Sequence, residues 1–295
     1  MKCLIRGCFA IAIIIVTCVP RLSAADAISY VVLEDGDPGA LVRISADGRT
    51  VSTIARDVSG LGLTVDGARN YIVAGKTGLL RITPAGSIST IASAPAGSVW
   101  ASVVIDGAGN FLVGDGIKPA LWRVSADGKT TTKLLTFDDI DTVGGYYRQS
   151  ALVSDRAGDC FFLVEGYNHR IGIIPQLFRI TPQGQTTEIP LSGVRFRRAS
   201  GMVPLANGDL LISIFQGRQF LRVTDNGVVT LFADLDSRDW YYPGGFALRP
   251  DDGSIVVLLP IGNEVARLNA DGSPTKDSRI HLPLTPTGIV VESSR

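Results

Sequence analysis

Apolar and polar positions alternate along this chain in short bursts, and beyond the first 25 residues no stretch keeps a helical period. A representative unit has apolar runs at 61–65, 71–74, 79–83 and 87–91, separated by segments rich in Gly, Asp, Asn and Pro. Runs of that length, rich in Val, Ile and Leu and bounded by turn residues, predict four β-strands, termed here A, B, C and D. The fullest copy spans 158–184. It predicts a strand at 160–164 that ends in Glu165, a polar turn at 167–171, and a second strand at 177–181 before a Pro-Gln-Gly turn.

The unit recurs. Arg43, Arg81, Arg123, Arg179, Arg222 and Arg267 each precede, by five positions, a turn glycine: Gly48, Gly86, Gly128, Gly184, Gly227 and Gly272. The arginines lie 38, 42, 56, 43 and 45 residues apart. A period near 40–45 residues built from short strands predicts an all-β six-bladed β-propeller with four antiparallel strands per blade. A second marker, an apolar run leading into a polar turn, precedes Gly67, Gly107, Gly158, Gly208 and Gly253, and its sixth copy lies at 287–291. The first unit has predicted strands at 28–33, 40–45 and 50–55 but no strand A of its own. The C-terminal strand is therefore expected to complete the first blade and close the ring, which leaves no long exposed sheet edge. No linker divides residues 26–295, which read as a single domain.

Residues Asn168-His169-Arg170-Ile171, three positions after Glu165 and following Gly158-Asp159 and a strand, resemble the NHL repeat of six-bladed propellers. The wider pattern covers nearly all of 26–295, although the full Asn-His-Arg-Ile form occurs once. Related groups are the gluconolactonase and senescence-marker-protein group and the virginiamycin B lyase group, which the run 179–190 resembles. The lyase resemblance implies His and Glu acting with a bound divalent cation, and points to Glu165 and His169. The gluconolactonase resemblance implies calcium or another divalent cation held by oxygen ligands at the channel mouth. Glu34, Asn263 and Glu264 are the residues to offer for it. A metal-dependent hydrolase or lyase is thus one functional reading.

The N-terminus carries Lys2 and Arg6, an apolar run from 8 to 19, and a small-residue segment ending at Ala25. Residues 1–25 are expected to be a signal peptide, so the protein is read as exported, periplasmic or secreted. Thr17 before Cys18 departs from a bacterial lipobox, which makes lipid anchoring the lesser alternative. Cleavage would remove Lys2, Arg6 and Arg21, so Lys plus Arg falls from 28 to 25 against 28 acidic residues, a formal charge of −3. That balance argues against nucleic acid or an anionic membrane as a partner. Cleavage would also leave Cys160 as the lone cysteine, without an internal disulfide, and is consistent with a monomer stabilised by its core. Cys160 itself reads as a buried packing residue.

In a propeller the loops between blades and the B-to-C loops share one face. The long spacing marks the fourth blade as the elaborated one, with extra residues at 136–148 and 167–176, both on that loop face. Elaborated loops on one face of a repeat fold mark its working face. Trp100, Tyr147, Arg148, Arg198, Trp240 and Tyr242 all fall there, and aromatic rings beside guanidinium groups suit an anionic or sugar-like ligand, or a protein partner. The six repeated arginines are expected to be structural, pairing with turn carboxylates such as Asp66, Asp106 and Asp155.

Overall fold

Each predicted strand is too short to stand alone, so the fold follows from how strands pair and blades stack. The computed structural model describes residues 28–34, 39–116, 120–137, 146–168, 172–214, 218–235, 245–259, 262–275, 279–282 and 286–293, with backbone alone at 146–150, 167–168, 172, 286–287 and 293. Blade 1 contributes β1 (Ile28–Glu34), β2 (Ala40–Ser45) and β3 (Val51–Arg56). Blade 2 is β4 (Gly62–Val65), β5 (Tyr71–Gly75), β6 (Gly78–Ile82) and β7 (Ile88–Ser93). Blade 3 is β8 (Trp100–Ile105), β9 (Phe111–Asp115), β10 (Ala120–Val124) and β11 (Thr131–Thr136). Blade 4 is β12 (Tyr146–Ser154), β13 (Cys160–Asn168), β14 (Gly172–Ile180) and β15 (Thr186–Ile189). Blade 5 has a short leading strand β16 (Ser192–Gly193), then β17 (Ala199–Pro204), β18 (Leu210–Ile214), β19 (Gln219–Val223) and β20 (Val228–Asp234). Blade 6 is β21 (Phe246–Leu248), β22 (Ile255–Leu259), β23 (Glu264–Leu268) and β24 (Ile280–His281), and the chain continues into β25 (Pro286–Ser293).

The sheet order β25-β1-β2-β3 completes blade 1 with the C-terminal strand. Tyr30 lies opposite Val291, Val31 opposite Val290 and Val32 opposite Ile289, so the expected closure and its register both hold. The strand then sits between β21 of blade 6 and β4 of blade 2. Strand B is buried on both faces in every blade, because successive side chains point to opposite sides of the sheet. In β13, Phe161 and Leu163 pack toward blade 5 while Cys160, Phe162 and Val164 pack toward blade 3. The same division yields six apolar clusters among the described residues, one at each junction of neighbouring blades. Stability is therefore shared around a ring of interfaces.

The tight C-to-D turns place Gly48, Gly86, Gly128, Gly184, Gly227 and Gly272 at φ between 73° and 88°. Glycine takes that region without the Cβ clash other residues meet, which is why the turn glycine recurs in every unit. The repeated arginines are structural, five held by a carboxylate at the opposite turn and Arg43 by one on the closing strand. Arg81 reaches Asp66 at 3.6 Å and Arg123 reaches Asp106 at 2.6 Å, while Arg222 pairs with Asp209 and Arg267 with Asp252. Arg179 pairs with Asp159 rather than with Asp155: Asp159 stands where blades 2 and 3 have Asn70 and Asn110, so blade 4 offers a second carboxylate at that turn. Arg43 takes Glu292 at 3.0 Å, from the strand that closes the ring.

Blade 4 corrects one expectation. Residues 167–176 are not one long loop. Instead β13 runs on to Asn168 and β14 starts at Gly172, nine residues each, because Ile173 and Ile174 continue the extended run. Tyr146 to Arg148 likewise belong to β12.

Candidate functional site

Six A strands face the axis and enclose a cavity of about 800 Å³. Leu63, Val103, Leu152, Met202, Phe246 and Ile289 supply one apolar side chain per blade. The cavity also touches Asp155, Arg156 and Arg249, so its described part opens on the face of the A-to-B turns. Arg249, nearly buried there, donates to Asp251 Oδ2 at 2.7 Å and is neutralised by it. The wall is apolar, and the charged groups, Asp155, Arg156 and the paired Arg249, gather at its turn-face end.

On the opposite face, the junction of blades 4 and 5 lies among the described residues. Glu165 is buried at 4 % exposure although it carries a carboxylate. Its Oε1 accepts the Ala199 N–H at 3.0 Å, across the interface between blades. That bond ties the entrance of β17 to β13. The residue before it, Arg198, is exposed and sits at φ 59°, an uncommon conformation for a side chain other than glycine or asparagine. Arg195 and Arg197 are exposed beside it. A fixed turn thus carries three guanidinium groups into solvent. In this arrangement Glu165 positions the turn; its carboxylate is engaged with the backbone.

The other sequence candidates fall in several places. Trp100 is fully buried in the core between blades 2 and 3, so its ring packs there and is not offered to a ligand. A Trp at the head of strand A lies next to the neighbouring blade, and apolar burial outweighs display. Tyr147 and Arg148 lie in β12, where the backbone alone is described, and pair in register with Gly166 and Glu165. His169, Trp240 and Tyr242 lie outside the described residues, as do residues 1–27. Glu34 ends β1, while Glu264 opens β23 and accepts from Arg279 at 2.6 Å. Asn263, just before it, holds φ 49°. Among the described residues no group of three or more His, Cys, Asp or Glu side chains is placed to hold a metal ion. Burial, reinforced by Asp106, Asp155 and Asp159, pushes the Cys160 thiol up to about 12, which makes it unreactive at neutral pH.

One feature escaped the strand pattern. Between blades 4 and 5 lies a recess of about 650 Å³, walled by Ile173, Ile174, Pro175, Leu191, Phe196 and Val229 and bordered by Arg195. It exists because the outer strand of blade 4 stops at Ile189 and the chain crosses to blade 5, where β16 pairs in parallel with β20. The long spacing between Arg123 and Arg179 and the Pro190 after β15 were the signals for it.

No known family model matches the chain, and no curated protein matches it in sequence. Solved structures do resemble it in shape. A chain of a nidogen–laminin complex superposes with a TM-score of 0.69 at 14% identity, covering 91% of this chain and 99% of that one. Virginiamycin B lyase from Staphylococcus aureus superposes with a TM-score of 0.56 at 17% identity, over 88% of this chain and 75% of the lyase. A protein of unknown function from Bacteroides caccae gives 0.59 at 15% identity, over 90% and 99%. At such identities the likeness is one of fold. Six blades of antiparallel strands, the first completed by the C-terminal strand, make this chain a six-bladed β-propeller, and the superpositions support that fold.

Proposed function

We propose that this protein is an exported binding propeller whose loop face, at blades 4 and 5, takes up an anionic or sugar-like group carried by a small molecule or a protein. The observation that carries this reading is the turn at Arg198. It is held by a buried carboxylate from the next blade, through the Ala199 N–H at 3.0 Å, and displays three exposed arginines. Guanidinium forks recognise carboxylates and similar anions through paired hydrogen bonds. Calorimetric titration with gluconate, glucuronate and short acidic oligosaccharides is the test. Arg198→Ala is expected to weaken binding roughly ten- to a hundredfold, the scale of one charge-assisted hydrogen bond, while the melting temperature stays put. No binding by the wild type, or equal binding by the variant, would remove the reading. Export has its own measurement: intact mass of secreted material should place the first residue at Ala25 or Asp26, and a lipid on Cys18 would overturn it.

The fold likeness to virginiamycin B lyase supports a second reading, a divalent-metal-dependent hydrolase or lyase at the channel mouth. It predicts a stoichiometric divalent ion in the purified protein. Glu165 would have to leave Ala199 to take part, so Glu165→Gln, which keeps the acceptor, separates the readings: it abolishes a lyase and spares a binding turn.

A further inference from the structure

The outer strands of blades 1, 2, 3 and 5 all run past a bulge and keep pairing with strand C. Beyond the bulge, Leu41 meets Ala55, Leu79 meets Ala92, Leu121 meets Leu135 and Phe220 meets Ala233. In blades 2 and 5 this residue lies six positions after the turn glycine, and blade 4 has Pro190 there. Proline has no N–H to give the ladder, and β15 ends at Ile189. The nine-residue β14 is consequently paired on one side along its whole length by β13, but on the other side only from Leu177 to Ile180. Among the described residues no strand pairs with the outer side of 172–176, which form an open edge with the recess beside it where an outer strand would run.

The direction of the edge follows from the turn. The Thr181 N–H donates to Gln185 O at 2.9 Å, so odd-numbered residues of β14 turn their backbone toward the outer side. Ile173 therefore offers an N–H and a C=O at the open edge, and Pro175 offers a C=O alone. Proline on the outward side of an edge strand discourages unselective pairing. Three backbone bonds are too few to recruit a partner, so side chains must add to them. Val194 stands exposed beside the recess at 43%, and Arg195 borders it with Arg197 and Arg198 beyond. Gln176, at the fork, has its Oε1 buried without a hydrogen-bond partner among the described residues.

We propose that the open edge of β14 is a strand-acceptor site, and that its occupant is an extended segment of a protein partner in which apolar and acidic residues alternate. The segment adds a strand beside Ile173 and Pro175, its apolar side chains enter the recess of Leu191, Phe196 and Val229, and its carboxylates meet the arginines. Strand addition supplies affinity through the main chain and specificity through alternate side chains. The charge of the rim selects an acidic segment over a basic one.

The probe is a fluorescent hexapeptide of alternating valine and glutamate, followed by anisotropy against the intact protein. Saturable binding is expected, with the valine–lysine counterpart at least tenfold weaker. Arg195→Ala with Arg197→Ala, both at exposed positions, should cost at least tenfold. N-methylation of alternate peptide nitrogens is decisive. One set faces Ile173 and Pro175 and its methylation abolishes binding; the other set faces away and its methylation is tolerated. Absence of binding, or equal loss from both methylation patterns, overturns the assignment. So does sedimentation showing a dimer that Val194→Asp dissolves, which would give the edge to a second copy of this chain. The proposal rests on blades 4 and 5 being the binding face. If the peptide fails while the sugar acids still bind through Arg198, the strand-acceptor site alone falls.

Discussion

Tyr71 shows how a single side chain reports on closure of the ring. Its hydroxyl donates to Glu292 Oε1 at 2.6 Å and accepts from Arg43 Nη2 at 2.6 Å, so blade 2, the closing strand and blade 1 meet at one oxygen. Glu292 occupies, on β25, the place that Asp66 and Asp106 hold after β4 and β8, and it receives the repeat arginine in the same way. Burial, with the neighbouring Glu292 carboxylate, pushes the Tyr71 phenol up to about 12 from its ordinary value of 10. The folded state therefore prefers the neutral phenol. Its contribution is complete below pH 10 and is lost as the pH rises through 12. Thermal melts at stepped pH should show the wild type losing stability across that window, and Tyr71→Phe losing less. At neutral pH Tyr71→Phe should cost about 1–3 kcal/mol, since the Glu292 carboxylate loses a buried donor. A variant with the wild-type profile would mean that the phenol does not take part in closure.

At the scale of elements, blade 4 differs from its neighbours at both ends of its outer strand. Its inner strands are nine residues long and rise beyond those of blades 2 and 3, whereas β15 stops after four. The difference has a backbone signature. Ile174 turns toward β13 and is paired, while Ile173 turns toward the vacant side. Amide exchange should be slow at Ile174 and fast at Ile173, with Ile173 slowing when the valine–glutamate peptide is present. Equal protection at the two amides in the free protein would contradict the open edge. Tyr167–Asn168–His169–Arg170 is polar and turn-like and reads locally as a loop; pairing across β12, β13 and β14 carries the extended conformation further than local composition does.

For the molecule as a whole, stability resides in six junctions and depends on each being closed. β25 packs against β21 and β4 and buries Ile289 with Ile28 and Tyr30. Removing the chain after Pro283 takes away one strand, the Glu292 anchor and the cover of two junctions. The melting temperature should fall by roughly 10 °C or more, which for a domain of this size corresponds to a loss of about 3–5 kcal/mol. A shortened chain that melts with the intact protein would show that the ring does not rely on this strand.

The sequence by itself determined the repeat, the number of blades, the strand that closes the ring and the structural role of six arginines. Those properties are local and periodic: a turn glycine at positive φ, an arginine five residues before it, and alternating apolar positions recur with each unit, and any copy corroborates the others. Tertiary structure decided the rest. Trp100 looks like a displayed aromatic until the neighbouring blade covers it, and nothing in the sequence ties Glu165 to the Ala199 N–H of the next blade. The vacant edge of β14 arises because residues 192–193 pair with Val228 and Val229 of blade 5 and not with their own blade. Contacts between blades join residues about one repeat apart or, across the closure, more than 200 apart, with no fixed spacing from unit to unit, so periodicity carries no information about them. They are settled by which surfaces the closed ring brings within a few ångströms.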